Sequence, residues 1–394
     1  MRILQVISSY PPAYAYGGPA RVAHDVSREL VKRGHEVAVY TTDAYDGRNR
    51  RQEVRNPDMM DGVAVHRFRN VSNRLAYANL PLAPAMARAL RDTVDTFDVV
   101  HLHEYRTCQA GATGRCAASR GVPYVLQAHG DVPKIMGKRA LKTVYDRLWG
   151  SELLKGAARL IALTSIEAEH YRAMGVAEER IEIIPNGIDL SDFTPLPPAG
   201  RFRMQHGLVS GERLILFLGR VHQIKGTDLL ARAFARLSGQ IGQVRLVIAG
   251  PDNGYLEALT RLTEDLSIRH GVIFAGPLYG EDKLRALVDA DVFVLPSSYE
   301  TFPVSVLEAV ACGTPVVVTD RCGIAQLVEE VGRVAEHNDA SLSNVLVEVL
   351  SDTSLRRDVA GTGRALLRDG YTIQAVTDRL EELYEKCSTQ EVQR

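Results

Sequence analysis

Short runs of apolar residues alternate with longer segments of helical periodicity along the whole chain of 394 residues. This alternation predicts βαβ units, in which parallel strands are covered by helices on both faces, and therefore an α/β fold. Predicted strands cover 2–7, 36–41, 63–68, 99–102, 124–128, 159–162, 181–184, 213–218, 245–249, 272–275, 292–295 and 315–319. Predicted helices cover 19–33, 84–92, 108–120, 138–155, 165–174, 227–237 and 371–390.

The two halves of the chain open in the same way, with an apolar strand, a glycine-containing loop and a helix. Pro195, Pro197 and Pro198 lie between the halves in a segment of small residues, which predicts a linker. We therefore predict a first domain over 1–190 joined by 371–394, and a second domain over 191–370. Two doubly wound domains facing each other would form a cleft at the carboxyl ends of both sheets.

The composition is that of an ordinary soluble globular protein, with 45% hydrophobic and 24% charged residues. Charge is distributed unevenly, since residues 1–190 carry 26 basic and 21 acidic side chains and residues 191–394 carry 21 and 27. A basic first half fits an anionic acceptor or a membrane surface, but the excess is too small to indicate nucleic acid binding.

Cysteine usage and the N-terminal sequence bear on the compartment. The five cysteines include no Cys-x-x-Cys pair and no matching histidine spacing, so neither a disulfide framework nor a zinc site is predicted. The chain enters a strand directly at Arg2, without the features of a signal peptide, and no stretch reaches membrane-spanning length. These observations predict a cytoplasmic protein, with a peripheral position at the inner face of the membrane as a further option.

Two carboxylates lie around a predicted helix start in the second half. Glu300 follows the strand 292–295, Pro303 is the predicted first helical residue, and Glu308 lies inside the helix. The first amides of a helix bind anions, whereas carboxylates accept hydrogen bonds from hydroxyl groups. The segment thus predicts a ligand with both phosphates and hydroxyls, such as a sugar nucleotide. The alternative is that Glu300 is a helix-start charge and Glu308 a solvated helix position.

Glycines and cations follow the first strand of each half. Arg220 and Lys225 lie five residues apart after the strand 213–218, and together they suit a diphosphate, although such a pair can also be merely solvated. Gly17 and Gly18 precede the first long helix, where the backbone can approach a phosphate or acceptor closely. A plain turn would look the same.

Three histidines lie at predicted strands of the first half. His129 follows an apolar strand and precedes a glycine, so its ring either projects into the cleft or is structural. His101 and His103 alternate on one strand and share a face, which would allow metal ligation. Because no third ligand is evident, packing or cleft lining is the preferred interpretation.

The segment 138–155 reads as an amphipathic helix. Lys134, Lys138, Arg139, Lys142 and Arg147 are interspersed with Ile135, Leu141, Val144, Leu148 and Trp149. Such a pattern can bind an anionic membrane. The preferred interpretation is a solvated basic face over an apolar stripe that belongs to the core.

Taken together, these motifs resemble those of the family 4 retaining glycosyltransferases, in order and over nearly the whole chain. The segments that carry the resemblance are Gly17-Gly18-Pro19, His129-Gly130, Pro185-Asn186-Gly187-Ile188-Asp189, Gly219-Arg220 with Lys225-Gly226, and Glu300 to Glu308 with Ala311-Cys312-Gly313-Thr314-Pro315. The resemblance implies the GT-B architecture of two Rossmann-like domains facing across a cleft, with the acceptor mainly on the first domain and the nucleotide sugar mainly on the second. It also implies that the last helix crosses back to the first domain.

The resemblance further implies roles for individual residues. Arg220 and Lys225 would bind the donor diphosphate, Glu300 the sugar hydroxyls and Glu308 the ribose hydroxyls. His129 would contact the sugar near the reacting centre, so that catalysis is expected to depend on His129, Arg220, Lys225 and Glu300. The donor site is also expected to include Gly17, Gly18, Phe302, Val304 and Ser305.

One departure from the family pattern affects the phosphate contacts. Where the family often shows Glu-Gly-Phe-Gly, this chain has Thr301 and Pro303 in place of the glycines. Proline lacks an N–H, so the amides of Val304 and Ser305 become the expected phosphate donors. Members of the family generally need no divalent metal, and the chain has no Asp-x-Asp motif, so neither a metal nor another cofactor is expected.

The function implied by the resemblance is transfer of a hexose-type sugar, with retention, from a nucleoside diphosphate to a glycan or lipid-linked acceptor. Cell-surface polysaccharide or glycoconjugate synthesis would be the setting. A sugar-nucleotide epimerase or hydrolase of the same fold is the alternative enzyme class. A non-catalytic nucleotide-sugar-binding protein is the third hypothesis.

Overall fold

The computed structural model describes residues 1–46, 49–51, 56–77, 80–135, 139–237 and 240–390. The chain divides into two compact units, the first formed by residues 1–187 with the last helix and the second by residues 188–372. Each unit is an α/β domain built on one sheet. The prediction of two Rossmann-like domains is confirmed.

The first unit contains an eight-stranded sheet in the order β3-β4-β2-β1-β5-β6-β7-β8. All neighbouring strands are parallel except β3, which runs antiparallel to β4 at the edge. The strands are β1 (Arg2–Val6), β2 (Glu36–Thr42), β3 (Asp58–Met60), β4 (Val63–Phe68), β5 (Val99–His103), β6 (Tyr124–Gln127), β7 (Arg159–Ala162) and β8 (Ile181–Ile183). The central strands β1, β5 and β6 are almost fully buried, as continuous apolar runs in a sheet covered on both faces should be.

The α-helices of this part of the chain lie between the strands. They are α1 (Gly18–Lys32), α2 (Asn73–Tyr77), α3 (Pro84–Thr93), α4 (Cys108–Arg120), α5 (Arg139–Tyr145), α6 (Ser151–Gly156) and α7 (Ser165–Ala173). Helix α4 begins where the Thr107 side chain accepts a hydrogen bond from the Ala110 amide, and it ends at Gly121 in the left-handed region.

The second unit contains a six-stranded parallel sheet in the order β11-β10-β9-β12-β13-β14. Its strands are β9 (Arg213–Leu218), β10 (Val244–Ala249), β11 (Val272–Gly276), β12 (Val292–Leu295), β13 (Val316–Thr319) and β14 (Gly332–Ala335). Its helices are α8 (Arg201–Gln205), α9 (Thr227–Leu237), α10 (Leu256–Asp265), α11 (Gly280–Asp289), α12 (Val304–Ala311), α13 (Ala325–Val331), α14 (Asp339–Ser351) and α15 (Thr353–Arg368).

The last helix, α16 (Ile373–Gln390), belongs to the first unit, as expected. Arg33 at the end of α1 forms ion pairs with Asp378 and Glu381 and donates to the carbonyl of Gln374 at 2.9 Å. On the buried side of α16, the Tyr384 hydroxyl lies 2.6 Å from Nδ1 of His101 on β5. A charged contact at the surface and a polar contact in the core therefore both hold the helix.

The segment predicted as one amphipathic helix differs from the expectation. Lys138 lies outside the described residues, and a π-helical turn, Asp146–Gly150, separates α5 from α6. The prediction that the apolar stripe is core is wrong: Leu141, Val144, Leu148 and Trp149 are 51%, 52%, 53% and 44% exposed. Periodicity identifies an apolar face but not what packs against it.

Two strands were missed from the sequence. Strand β3 is short, partly polar and at a sheet edge, and β14 begins with glycine directly after a helical pattern. Neither has a continuous apolar run. Among the described helices, none combines the length and the apolar character needed to cross a bilayer.

Candidate active site

The sheet of the second unit changes direction between β9 and β12. From β9 the chain continues outward to β10 and β11 on one side, and β12, β13 and β14 extend on the other. In open α/β sheets, ligands bind outside the carboxyl ends of the strands at such a switch point. The loops after β9 and β12 therefore form the candidate site.

The loops after β9 and β12 are in direct contact. Gly226 has a φ of +66°, and a Cβ at this position would lie 2.0 Å from the carbonyl oxygen of Pro296. The amide of Ser298 donates to the carbonyl of Ile224 at 2.8 Å. Glycine is needed here both for the left-handed backbone and for the close approach, which brings Lys225 beside the loop after β12.

Lys225 forms an ion pair with Glu300 across the two loops. Both side chains are 17% exposed, so the pair is largely sheltered but open to a ligand. The backbone of Glu300 is fixed by the loop after β13, because the amide of Gly323 donates to its carbonyl at 2.7 Å. Sequence reasoning selected both residues, and the structure brings them together.

Arg220 and Lys225 act on a common neighbour, His222, which sequence reasoning missed. Burial lowers the pKa of His222, and the positive charges of Arg220 and Lys225 lower it further. Its Nδ1 accepts a hydrogen bond from the amide of Ile224 at 3.2 Å, which caps the turn that leads to Lys225. A neutral His222 thus lies beside Arg220 and Lys225, the two cations predicted to bind phosphate.

Helix α12 begins one residue later than predicted. Val304 is its first residue and Pro303 is the N-cap, with φ −77° and ψ 118°. The amides of Val304 and Ser305 lie in the first turn, where no intrahelical acceptor is available. Phe302 is buried and its ring stacks on that of Tyr371, with centroids 5.9 Å apart.

Glu308 is buried in α12 and pairs with Lys283 of α11, with Nζ 2.6 Å from Oε1. The alternative of a solvated Glu308 is therefore wrong. Burial raises the pKa of the Cys312 thiol to about 12, and the charge of Glu308 contributes in the same direction. Lys283 was missed because it lies in another helix, and no local pattern connects it with Glu308.

In the first unit, His129 follows β6 with a left-handed φ of +52°. Its Nε2 lies 2.9 Å from Nδ1 of His103, whose Nε2 lies 2.6 Å from Oε1 of Gln5. Burial lowers the pKa of His129 to about 3, so the ring is neutral near pH 7. The three residues form a hydrogen-bonded row across β1, β5 and β6 that orients the His129 ring.

The shared face of His101 and His103 is a packing feature, as preferred from the sequence. Their rings are stacked with centroids 4.1 Å apart, and both side chains are buried. Within the described ranges, no group of three or more His, Cys, Asp and Glu side chains is arranged to hold a metal ion. Gly17 and Gly18 lie at the start of α1, with Gly17 as N-cap at a φ of +103°.

Comparison with known protein families agrees with these two units. Residues 16–192 match Glycosyltransferase Family 4, and residues 200–366 match Glycosyl transferases group 1. A D-inositol 3-phosphate glycosyltransferase of Xylanimonas cellulosilytica is 32% identical, covering 89% of this chain and 88% of that protein. The chain belongs to the family 4 glycosyltransferases.

One further relative and two solved structures match almost the whole chain. An uncharacterized glycosyltransferase of Methanocaldococcus jannaschii is 29% identical over 98% of both chains. Anabaena HepE, solved in complex with UDP and glucose, superimposes with a TM-score of 0.76 at 18% identity, covering 98% of this chain and 100% of that one. Sucrose-phosphate synthase from Thermosynechococcus elongatus superimposes with a TM-score of 0.77 at 20% identity, covering 98% of this chain and 99% of that one. The glycosyltransferase fold thus extends over essentially the whole chain.

Proposed function

We propose that this glycosyltransferase transfers a hexose-type sugar, with retention, from a nucleoside diphosphate to a glycan or lipid-linked acceptor. The observation that carries the proposal is the Lys225–Glu300 ion pair at the switch point of the second sheet, beside the start of α12. A cation suits the diphosphate, the carboxylate suits sugar hydroxyls, and the first-turn amides provide further donors to phosphate oxygens.

Each residue then has one part in the reaction. Arg220, Lys225 and the amides of Val304 and Ser305 stabilise the charge that develops on the departing nucleoside diphosphate. Glu300 orients the sugar and Glu308 binds the ribose hydroxyls. His129, neutral near pH 7, contacts the sugar without placing a positive charge beside it. Gly17 and Gly18 allow the backbone at the start of α1 to approach a phosphate.

The first experiment is a thermal-shift screen of nucleoside diphosphate sugars, beginning with UDP-glucose because HepE was solved in complex with it. A donor that binds the folded state raises the melting temperature. The selected donor is then incubated with a panel of acceptors, and nucleoside diphosphate release and product are measured. Lys225→Ala and Glu300→Ala should each abolish most acceptor-dependent release.

The products separate the competing functions. A transferred sugar with retained anomeric configuration supports the proposal. An epimerised free sugar nucleotide, or hydrolysis that no acceptor accelerates, would assign the protein to the alternative enzyme class. Donor binding without turnover over the whole panel would favour a binding protein.

We propose in addition that the segment from α5 to α6 contacts an anionic membrane surface. The four exposed apolar side chains of this segment lie beside exposed Arg139 and Arg147. Apolar side chains of this size enter the interfacial region of a bilayer, while arginines attract anionic lipids. A lipid-linked acceptor would be reached from this position.

Vesicle sedimentation at low salt tests the contact. The wild type should bind vesicles containing anionic lipid and not purely zwitterionic vesicles. Leu148→Ser with Trp149→Ser should weaken binding because apolar contacts with the bilayer are lost. Arg139→Gln with Arg147→Gln should weaken it because the attraction to anionic lipids is lost. Arg261→Gln, which removes an exposed cation on α10, is the matched control. Equal sedimentation of wild type and both variants, or none by the wild type, would refute the contact.

A further inference from the structure

We infer that Glu104 is a specificity-determining residue of the acceptor site, and that it selects an uncharged, hydroxyl-bearing acceptor over a phosphorylated one. The inference rests on the proposed function, since it concerns the acceptor of that reaction. Glu104 lies in the first unit and is not among the residues assigned to the donor.

Glu104 lies at the switch point of the first sheet. There β2 and β4 extend from one side of β1, whereas β5, β6 and β7 extend from the other, so the strand order reverses between β1 and β5. Ser8 follows β1 and Glu104 follows β5. Ser8 donates to Oε2 of Glu104 twice, from its hydroxyl and from its amide at 3.2 Å. The contact therefore spans the crevice in which such sheets bind ligands.

The backbone at Glu104 is held in an unfavourable conformation. Its φ is +73°, in the left-handed region that glycine, asparagine and aspartate occupy far more readily than glutamate. Its amide nevertheless donates to the carbonyl of Gln127 on β6 at 2.9 Å. His129, two residues after β6, shares this sign of φ. Two non-glycine residues with left-handed φ at the carboxyl ends of neighbouring strands are typical of a functional site.

The electrostatic surroundings disfavour an anion at Glu104. Burial raises the pKa of this carboxyl to about 7, hydrogen bonds from Ser8 oppose the rise, and the negative charge of Asp131 adds to it. A phosphate at this point would meet a carboxyl group that is partly ionised near pH 7 instead of a cation. Hydroxyl groups, by contrast, can donate a hydrogen bond to either oxygen of a carboxylate.

Two cations beside Asp131, Arg106 and Lys142, are held by acids. Arg106 donates to both oxygens of Asp146 at 2.9 Å, and Lys142 lies 3.6 Å from Asp131. Reassigning either cation to a phosphate would remove one counter-ion from a buried or half-buried carboxylate, which is costly. The site is therefore built for hydrogen-bond donors that carry no charge.

A pair of probes that differ by one phosphate separates the two acceptor classes. Inositol and inositol 3-phosphate are suitable, because several relatives are named D-inositol 3-phosphate glycosyltransferases. Glucose and glucose 6-phosphate form a second pair. The assay uses the full chain and the donor from the screen. The kcat/KM of the wild type for the uncharged member of a pair should be at least ten times that for the phosphorylated member. A tenfold preference for the phosphorylated member would overturn the inference.

Glu104→Gln keeps the size of the side chain and removes its charge. It should raise KM for the uncharged acceptor about tenfold or more and leave the affinity for donor within twofold, as measured by calorimetry. Glu104→Asp should recover part of the loss, which a purely structural role would not predict. An unchanged acceptor KM in a folded Glu104→Gln protein would overturn the inference.

Binding of the probes without donor distinguishes this inference from the proposed function. If no donor is turned over, transfer has failed, yet weaker binding of inositol or glucose to Glu104→Gln than to the wild type would still support the assignment. Equal binding by both proteins would reject it. If Glu104→Gln does not fold, Ser8→Ala replaces it, since loss of the Ser8 hydroxyl alters the orientation of the same carboxylate.

Discussion

Lys225 and Glu300, 75 residues apart in the chain, form an ion pair across the point at which the strand order of the second sheet reverses. A corresponding contact, between Ser8 and Glu104, spans the reversal in the first sheet. In both sheets a carboxylate that follows the strand on one side meets a donor that follows the strand on the other. This shared arrangement places polar side chains where doubly wound folds bind ligands.

Removing either partner of the Lys225–Glu300 pair should impair donor use more than stability. Lys225→Met and Glu300→Gln are each expected to lower kcat/KM for donor by about a hundredfold or more, because a charge aimed at the transition state is lost. Steady-state kinetics and urea unfolding measure the two effects. Arg236→Ala, which breaks the exposed ion pair with Asp339, is the control and should change neither. Wild-type kinetics in both site variants would contradict the donor assignment.

The buried pair of Glu308 and Lys283 should behave differently. Lys283→Met or Glu308→Leu alone removes the ion-pair partner of a buried charge and should cost about 3–5 kcal/mol of unfolding free energy. The double variant should recover much of the stability, since apolar side chains can fill the same space. It should not recover donor affinity if Glu308 binds the ribose. Denaturant unfolding and calorimetry with the donor distinguish these results, and full donor affinity in the double variant would rule out that role.

Gly226→Ala should displace Lys225 from its partner. The added methyl group would overlap the carbonyl of Pro296, and Gly226 also has a φ of +66°, which alanine rarely adopts. We expect a loss of about 2 kcal/mol or more and a marked fall in donor turnover. Gly361→Ala, in α15 with nothing within 4 Å of the new methyl group, is the control and should be neutral or slightly stabilising. A Gly226→Ala protein of normal stability would refute the close approach.

The buried histidines should make the protein sensitive to acid. Burial lowers the pKa of His101 and His129 to about 3, from 6.5, so the unfolded chain binds protons between these values that the folded chain does not. Unfolding free energy should therefore fall as pH drops below 6.5, by up to about 1.4 kcal/mol per pH unit for each histidine.

Glu167 should act in the opposite direction. Burial raises its pKa to about 7 from 4.5, so the folded state keeps a proton that the unfolded state loses, and its contribution to stability falls as pH rises between these values. Urea unfolding from pH 4 to 8 measures the sum. His101→Asn should flatten the acid side relative to the wild type, and an unchanged pH profile would contradict the shifted pKa of His101.

Arg33→Ala should loosen α16. Arg33 joins α1 to Asp378, Glu381 and the carbonyl of Gln374 with a largely sheltered guanidinium, so we expect a loss of about 1–2 kcal/mol and faster amide exchange in α16. Lys386→Ala removes an exposed charge from the same helix and should leave exchange unchanged. Equal exchange in both variants would show that the Arg33 contacts are not needed to hold the helix.

The sequence by itself determined the α/β class and most strands and helices, because apolar runs and helical periodicity are local properties of the chain. Strand 63–68, helix 108–120 and helix 227–237 have the predicted bounds. It also identified Lys225, Glu300 and Glu308 as candidate site residues, since glycines, prolines and charges mark the loops at strand ends. Strands β3 and β14 were not predicted, because edge strands are short and need no apolar run.

Tertiary structure alone decided which of these residues meet. Lys225 with Glu300, Lys283 with Glu308 and Ser8 with Glu104 are pairs separated by 75, 25 and 96 positions, and they depend on strand order rather than on spacing. Packing also decided that Leu148 and Trp149 face outward, since periodicity shows that a helix has an apolar side but not whether another element covers it. Contacts between distant segments are properties of the folded sheet, and no local pattern contains them.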